Sequence, residues 1–318
     1  MPKRFHSCLA SEMEAFMRFK HALGQSYHRG CHTLRRFDRY VAVHHPQGGP
    51  LNWPALFSGW LGDRPARKPI TVLREMSVLR QFCLFRRRAD AGAFLPDTQW
   101  VSPVALARFA AYPLSTSQVA ELIRRTQDLE DLPLRRSGIR ALLCLLYSTG
   151  LRLGEALRLQ CADVDWDQRR FFIRMSKGRS RWVPFRKDLL RELNKYRKER
   201  RGHLQEGPES FLLCRADGSA YSVPCASVTI RQLMRQAGYK PAQGRLGPRP
   251  HDLRHAFANE RLRRWYRSGV DLQRRLPDLS VYLGHQNLFG TEIYLKTRPD
   301  LLRVASRHLA RRFRKSEQ

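Results

Sequence analysis

The sequence predicts a mainly α chain with one small β-sheet, divided into a helical N-terminal domain and a larger α+β C-terminal domain. Three observations lead there. Apolar residues recur at helical spacing through the N-terminal part. A proline-bearing stretch without that periodicity follows. Beyond it, a helix-rich region is broken by two short β-like segments. With 318 residues, 42% of them hydrophobic, the chain is long enough for two domains, each with its own core.

Met13, Phe16, Phe19 and Leu23, then Leu34, Phe37 and Val41, recur at steps of three and four and predict two amphipathic helices. Gly48-Gly49-Pro50 breaks the pattern. A third helix carries Leu73, Met76, Leu79 and Phe82 on one side, with Arg74, Arg80, Arg87 and Arg88 available to a basic surface. The first domain is assigned to residues 1–95. Pro96, Pro103 and Pro113 mark residues 96–114 as a linker, and residues 115–318 form the second domain.

A new helix starts near Ser117, with Val119, Leu122 and Ile123 apolar. The apolar run Ile139 to Tyr147 is closed by Ser148-Thr149-Gly150, and another helix spans Leu153 to Leu159. Arg170 to Met175 and Trp182 to Phe185, joined by Ser176-Lys177-Gly178-Arg179-Ser180, predict a β-hairpin. From Leu189 onward helices dominate again, interrupted between Gly238 and Pro250.

Composition narrows the function. Lys and Arg number 59 against 28 Asp and Glu, a formal charge of +31. Self-repulsion of that size opposes compactness, and the usual partners that offset it are nucleic acids or anionic membranes. No apolar run approaches the length of a membrane span, and the N-terminus lacks the apolar segment of a secretory signal. The expectation is therefore a cytoplasmic protein with no membrane partner. The seven cysteines are scattered and never form C-x-x-C, which predicts reduced thiols rather than disulfides or a zinc ribbon.

Four short elements could carry chemistry. In Thr149-Gly150-Leu151-Arg152-Leu153-Gly154-Glu155, a break releases the chain into a helix with Arg152 and Glu155 one turn apart. An arginine fork suits a phosphate because it makes two parallel charge-assisted hydrogen bonds. A surface arginine with a helical ion pair has the same pattern. Lys177 stands at the hairpin tip, where a lysine near two arginines can have a lowered pKa and donate a proton, or can simply be solvated.

In His251-Asp252-Leu253-Arg254-His255, residues 251, 254 and 255 share one helix face. The histidine spacing resembles a zinc-binding helix, but Arg254 puts a permanent cation on that face and no third ligand follows. Two structural histidines are the other reading. The fourth element is Leu283-Gly284-His285, with Gly284 as a helix C-cap and Tyr294 nine residues beyond His285.

In this order, Arg152, Lys177, His251, Arg254, His285 and Tyr294 resemble the catalytic residues of tyrosine recombinases, the family of phage integrases and chromosome-dimer resolvases. The resemblance runs from roughly Ser115 to Arg311. It implies a helical core-binding domain and a catalytic domain that form a C-shaped clamp on double-stranded DNA. It implies that Arg152 and Arg254 neutralise the phosphate oxygens, that His285 adds a hydrogen bond, and that His251 assists deprotonation of Tyr294. Lys177 would protonate the departing 5′ hydroxyl, with Glu155 and His255 in support.

Tyr294 would be left joined to a 3′ phosphate, with no metal, ATP or other cofactor required. Accessory recombination proteins and a homotetramer on paired sites are further implications, the apolar residues Leu301, Leu302, Val304 and Leu309 forming a last helix that docks on a neighbouring subunit. The stretch Tyr294 to Leu301 looks more like recombinases of mobile elements than like dimer resolvases. Two features depart from the commonest pattern: Leu272 to Asp278 looks like a small insertion, and the segment after Tyr294 is unusually rich in arginine. A type IB topoisomerase-like activity and a non-catalytic DNA-binding protein on the same scaffold are the alternatives.

Overall fold

The computed structural model describes residues 5–46, 49–63, 65–97, 112, 114–130, 132, 134–176, 179–244 and 246–285. By its internal contacts the chain divides into two compact units, Met1–Phe109 and Ala110–Gln318.

The first unit contains α1 (Ala10–Ala22), α2 (His28–His44), α3 (Trp53–Gly62) and α4 (Pro69–Arg86). Met13, Phe16, Leu34, Phe37, Val41, Met76, Leu79 and Phe82 meet in one core. Leu23 does not join them. α1 stops at Ala22, the left-handed Gly24 turns the chain, and Leu23 is exposed. Helix α3 was not expected. Asn52 caps it by accepting from the Ala55 N–H, Pro54 sits in its first turn, and Trp53, Leu56, Phe57 and Trp60 line its buried face.

Several arginines of this unit serve its interior. Arg36 and Arg67 both pair with the buried Glu75, and Arg67 also donates to the carbonyls of Trp60 and Leu61. Arg80 and Arg87, expected on a basic surface, donate to the carbonyls of Pro96 and Ala93. Asp38 anchors the N-terminal segment by accepting the backbone N–H groups of His6 and Ser7.

The second unit is organised around α6 (Arg135–Thr149), which packs against α5 (Thr116–Arg124), α7 (Leu153–Leu157), α8 (Lys187–Arg201) and α10 (Pro250–Arg267). Helix α9 (Val223–Gln236) closes the core, and α11 (Leu272–Leu283) lies against α10. Helix α5 begins one step earlier than expected because Ser115 and Gln118 form a reciprocal capping box.

The sheet is antiparallel, in the order β1 (Val164–Asp165), β2 (Arg170–Ser176), β3 (Arg179–Pro184). Ile173 pairs with Arg181 and Phe171 with Val183. Phe171, Ile173 and Val183 face the core, while Phe172 and Trp182 contact each other on the outer face. β3 starts at Arg179, three residues before the expected second strand, so the connection is shorter than the five residues allotted to it.

Leu272 to Asp278, the stretch that looks like a small insertion against the family pattern, forms the first half of the continuous α11. Asp271 caps it by accepting from the Gln273 N–H, and Leu272, Leu276, Leu279 and Leu283 turn one apolar face toward Phe257 and Leu262 of α10. The C-terminal helix expected after Tyr294 lies outside the described residues.

Leu143 is fully buried at the centre of α6. Leu143→Ala should lower the unfolding free energy by about 2–5 kcal/mol, read by urea denaturation. A loss under about 0.5 kcal/mol, the range of surface substitutions, would show that α6 is not the core element described here.

Candidate functional site

The site forms where two helices end and two begin. α6 terminates at Gly150, whose left-handed φ of 66° reverses the chain. The reversal needs glycine for space as well, since a Cβ there would stand 2.5 Å from the Phe257 ring. Two residues on, Arg152 is the N-cap of α7, and Glu155 reaches back to accept its backbone N–H at 2.9 Å.

α11 ends in a Schellman arrangement. Gly284 adopts φ 67°, its N–H bonds the Val281 carbonyl, and the His285 N–H bonds the Ser280 carbonyl. The last carbonyls of α11 then receive arginine donors. Arg254, 2% exposed, donates to Leu283 O at 2.7 Å and to Gly150 O at 2.8 Å. Arg152 donates to Gly284 O at 2.9 Å and to Glu155 Oε1 at 2.7 Å. Neighbouring peptide carbonyls thus hold the two guanidinium groups close together, at helix C-termini where cations are favoured.

The same corner contains an arginine that the sequence reading missed. Arg181 of β3 contacts both oxygens of Glu155, at 3.0 and 3.3 Å, and donates through Nε to Tyr282 O at 2.8 Å. A signal for it exists in the sequence. Arg181 shares a strand face with Val183 and Phe185, so a cation stands where alternation calls for an apolar residue. Three arginines against one carboxylate leave this corner with a surplus of fixed positive charge, suited to receive an anion.

α10 brings the histidines. Pro250 is its first residue, and Asp252, buried, accepts the Arg249 N–H at 2.8 Å and the Tyr112 N–H at 3.2 Å. His251 is exposed at the helix start and His255 is buried one turn on, with ring centroids 4.9 Å apart in an edge-to-face contact. Crowding by surrounding protein, then His255, Arg254, Arg249 and Arg152, push the His251 pKa down to about 4. Burial also lowers the His255 pKa, against the opposing charge of Asp252. Both rings are therefore neutral near pH 7.

Of the residues singled out in the sequence, Arg152, Glu155, His251, Arg254, His255 and His285 belong to the segments that meet here. Lys177 and Tyr294 lie outside the described residues. Among the described residues no group of three His, Cys, Asp or Glu side chains could hold a metal ion. No described helix is long and apolar enough to cross a membrane.

Residues 113–300 match the model of the phage integrase family. The chain is 35% identical to the integrase/recombinase y4rB of Sinorhizobium fredii over 258 residues, covering 79% of this chain and 82% of that protein. It is 30% identical to y4rE of the same organism, covering 95% of this chain and 96% of that one. The tyrosine recombinase XerA of Pyrococcus horikoshii is 32% identical, over 60% of this chain and 59% of that protein.

Among solved structures, the XerH site-specific recombinase bound to its palindromic difH substrate matches with a TM-score of 0.67 at 16% identity, covering 87% of this chain and 79% of that chain. The Tn1549 transposon integrase in complex with transposon right-end DNA matches with a TM-score of 0.65 at 16% identity, covering 94% and 99%. The chain belongs to the phage integrase family. It is a site-specific recombinase of the tyrosine class.

The depressed His251 pKa carries a pH signature. The unfolded ring titrates near 6.5 and the folded ring near 4, so between these values the unfolded chain binds the extra proton. The stabilisation is present above the unfolded value and is lost as pH falls through that window. Urea unfolding from pH 7 to pH 4 should therefore show falling stability, with a shallower slope in His251→Gln. Equal slopes in the two proteins would contradict the assignment.

Proposed function

We propose that this recombinase cleaves and rejoins double-stranded DNA by transesterification through a covalent 3′-phosphotyrosine bond at Tyr294. The observation that carries the reading is the pair Arg152 and Arg254, held on the adjacent carbonyls of Gly284 and Leu283 beside a neutral His251. Fixed guanidinium groups that need no rearrangement lower the cost of the extra charge on a pentavalent phosphate.

In this mechanism the Tyr294 hydroxyl attacks the phosphorus while His251 accepts its proton. An approaching phosphate raises the basicity of His251, because an anion then offsets the surrounding arginines. The bond from phosphorus to the 5′ oxygen breaks, and Lys177 supplies the proton that the departing hydroxyl takes. His285 hydrogen-bonds a non-bridging oxygen, while Glu155 and His255 support Arg152 and His251. The phosphotyrosine ester retains the energy of the original linkage, so a 5′ hydroxyl from a partner strand reverses the step without ATP.

Residues 1–95 would bind the duplex around the core site, 96–114 would link the two parts, and 115–318 would perform the chemistry. The working form would be a homotetramer on paired sites in the cytoplasm. The net charge of +31 supports DNA as the partner.

The native protein, incubated in EDTA with nicked duplex DNA from its own genetic neighbourhood, should yield an SDS-resistant adduct that Tyr294→Phe does not form. An equal adduct with both proteins, or tight salt-sensitive binding without any adduct, would overturn the covalent role of Tyr294. Arg152→Ala and Arg254→Ala should each slow adduct formation at least about a hundredfold, judged from the loss of one preorganised donor. Near-normal rates in both would remove their assigned roles.

A further inference from the structure

Arg181 spends its guanidinium on the protein. Nη1 and Nη2 face the two oxygens of Glu155, and Nε donates to the Tyr282 carbonyl. Its side chain is 9% exposed and that of Glu155 1% exposed. Glu155 is thereby gripped from two sides, by Arg181 and by Arg152.

The turn that carries His285 lies against the same group. A Cβ on Gly284 would stand 2.7 Å from Arg181 Nη1 and 2.8 Å from its Cζ, so residue 284 must lack a side chain for the guanidinium to sit there. The Tyr282 hydroxyl donates to the Pro184 carbonyl at 3.2 Å, a second tie between α11 and the end of β3. One planar cation therefore joins three segments: β3, the start of α7 and the end of α11. A lysine could not reproduce this, because a point charge does not serve two carboxylate oxygens and a carbonyl in one plane.

We propose that Arg181 is a positioning residue of the recombinase, which holds Glu155 so that the Arg152 guanidinium is presented to the scissile phosphate, and sets the α11 turn beside it. The proposal rests on the assignment of Arg152 to the phosphate. Arg181 itself does not touch the DNA. Its loss leaves Glu155 able to rotate, and Arg152 follows the carboxylate instead of remaining on the Gly284 carbonyl.

The test compares cleavage of a normal nicked duplex with that of a duplex bearing a methylphosphonate at the scissile position. The methylphosphonate removes one negative charge, and with it much of the demand on Arg152. On the normal duplex at saturating concentration, Arg181→Lys should form adduct about a hundredfold more slowly, the scale expected for a misplaced catalytic group. DNA affinity should stay within about twofold, because base and backbone contacts elsewhere on the duplex are untouched.

On the methylphosphonate duplex the deficit should shrink at least about tenfold, as it should for Arg152→Ala used as a benchmark. A deficit of the same size on both duplexes, or no deficit, would overturn the proposal in favour of a purely structural arginine. Glu155→Gln, which keeps the side-chain shape, should show the same dependence on the substrate. If Arg181→Lys does not fold, an equal loss on both duplexes in Glu155→Gln overturns the proposal alone. A native protein that forms no adduct would remove the phosphotyrosine reading itself, and an Arg152→Ala benchmark with no shrinkage would remove the Arg152 assignment.

Discussion

Burying a guanidinium group removes it from water at a cost of several kcal/mol unless its donors find acceptors. Arg254 lies almost entirely inside the protein, and the carbonyls of Gly150 and Leu283 supply that compensation. This one group constrains the corner around it. α6 must end and reverse at Gly150, α11 must end at Leu283, and α10 must pass between them. The left-handed glycines at 150 and 284 let the chain turn at these two ends, where the Phe257 ring and the Arg181 guanidinium leave no room for a Cβ. Helix C-termini suit the role, since their last carbonyls have no partner within the helix and carry partial negative charge.

The arginines of this chain divide into two populations that composition cannot separate. Some neutralise carboxylates that the fold covers wholly or in part: Arg36 and Arg67 at the buried Glu75, Arg140 at the half-buried Glu192, Arg197 and Arg200 at the half-buried Glu206. Others stand in solvent, such as Arg74 of α4. The net charge of +31 already points to a polyanion, but it does not say which cations meet it. That depends on where each carboxylate is folded, and the long separations between partners, such as Arg140 with Glu192, carry no local sign in the sequence.

Elements that the local sequence marks weakly have particular causes. Gly59 and Gly62 weaken the helical signal of α3, although Asn52, Pro54 and the spacing of Trp53, Leu56, Phe57 and Trp60 all mark a helix. The first half of α11 falls in the helix-rich stretch expected after Leu189, and Pro277 lies inside the helix without ending it. Its apolar side becomes a face only once Phe257 and Leu262 of α10 stand opposite. Arg181 is one cation among 59 basic residues, and only its position on the covered face of β3 distinguishes it.

The sequence by itself determined the mainly α class, the two-part organisation around a proline-bearing stretch, the hairpin, and the order of short elements around Arg152, His251 to His255 and His285. These are local properties: periodicity, capping and turn residues act within a few positions of one another. Tertiary structure alone decided that the carbonyls of Gly150, Leu283 and Gly284 hold Arg254 and Arg152, that Glu155 is shared with Arg181, and that His251 stays neutral. The physical reason is that charge burial is settled between residues far apart in sequence, Arg152 and Gly284 or Gly150 and Arg254, whose proximity exists only after the helices have packed.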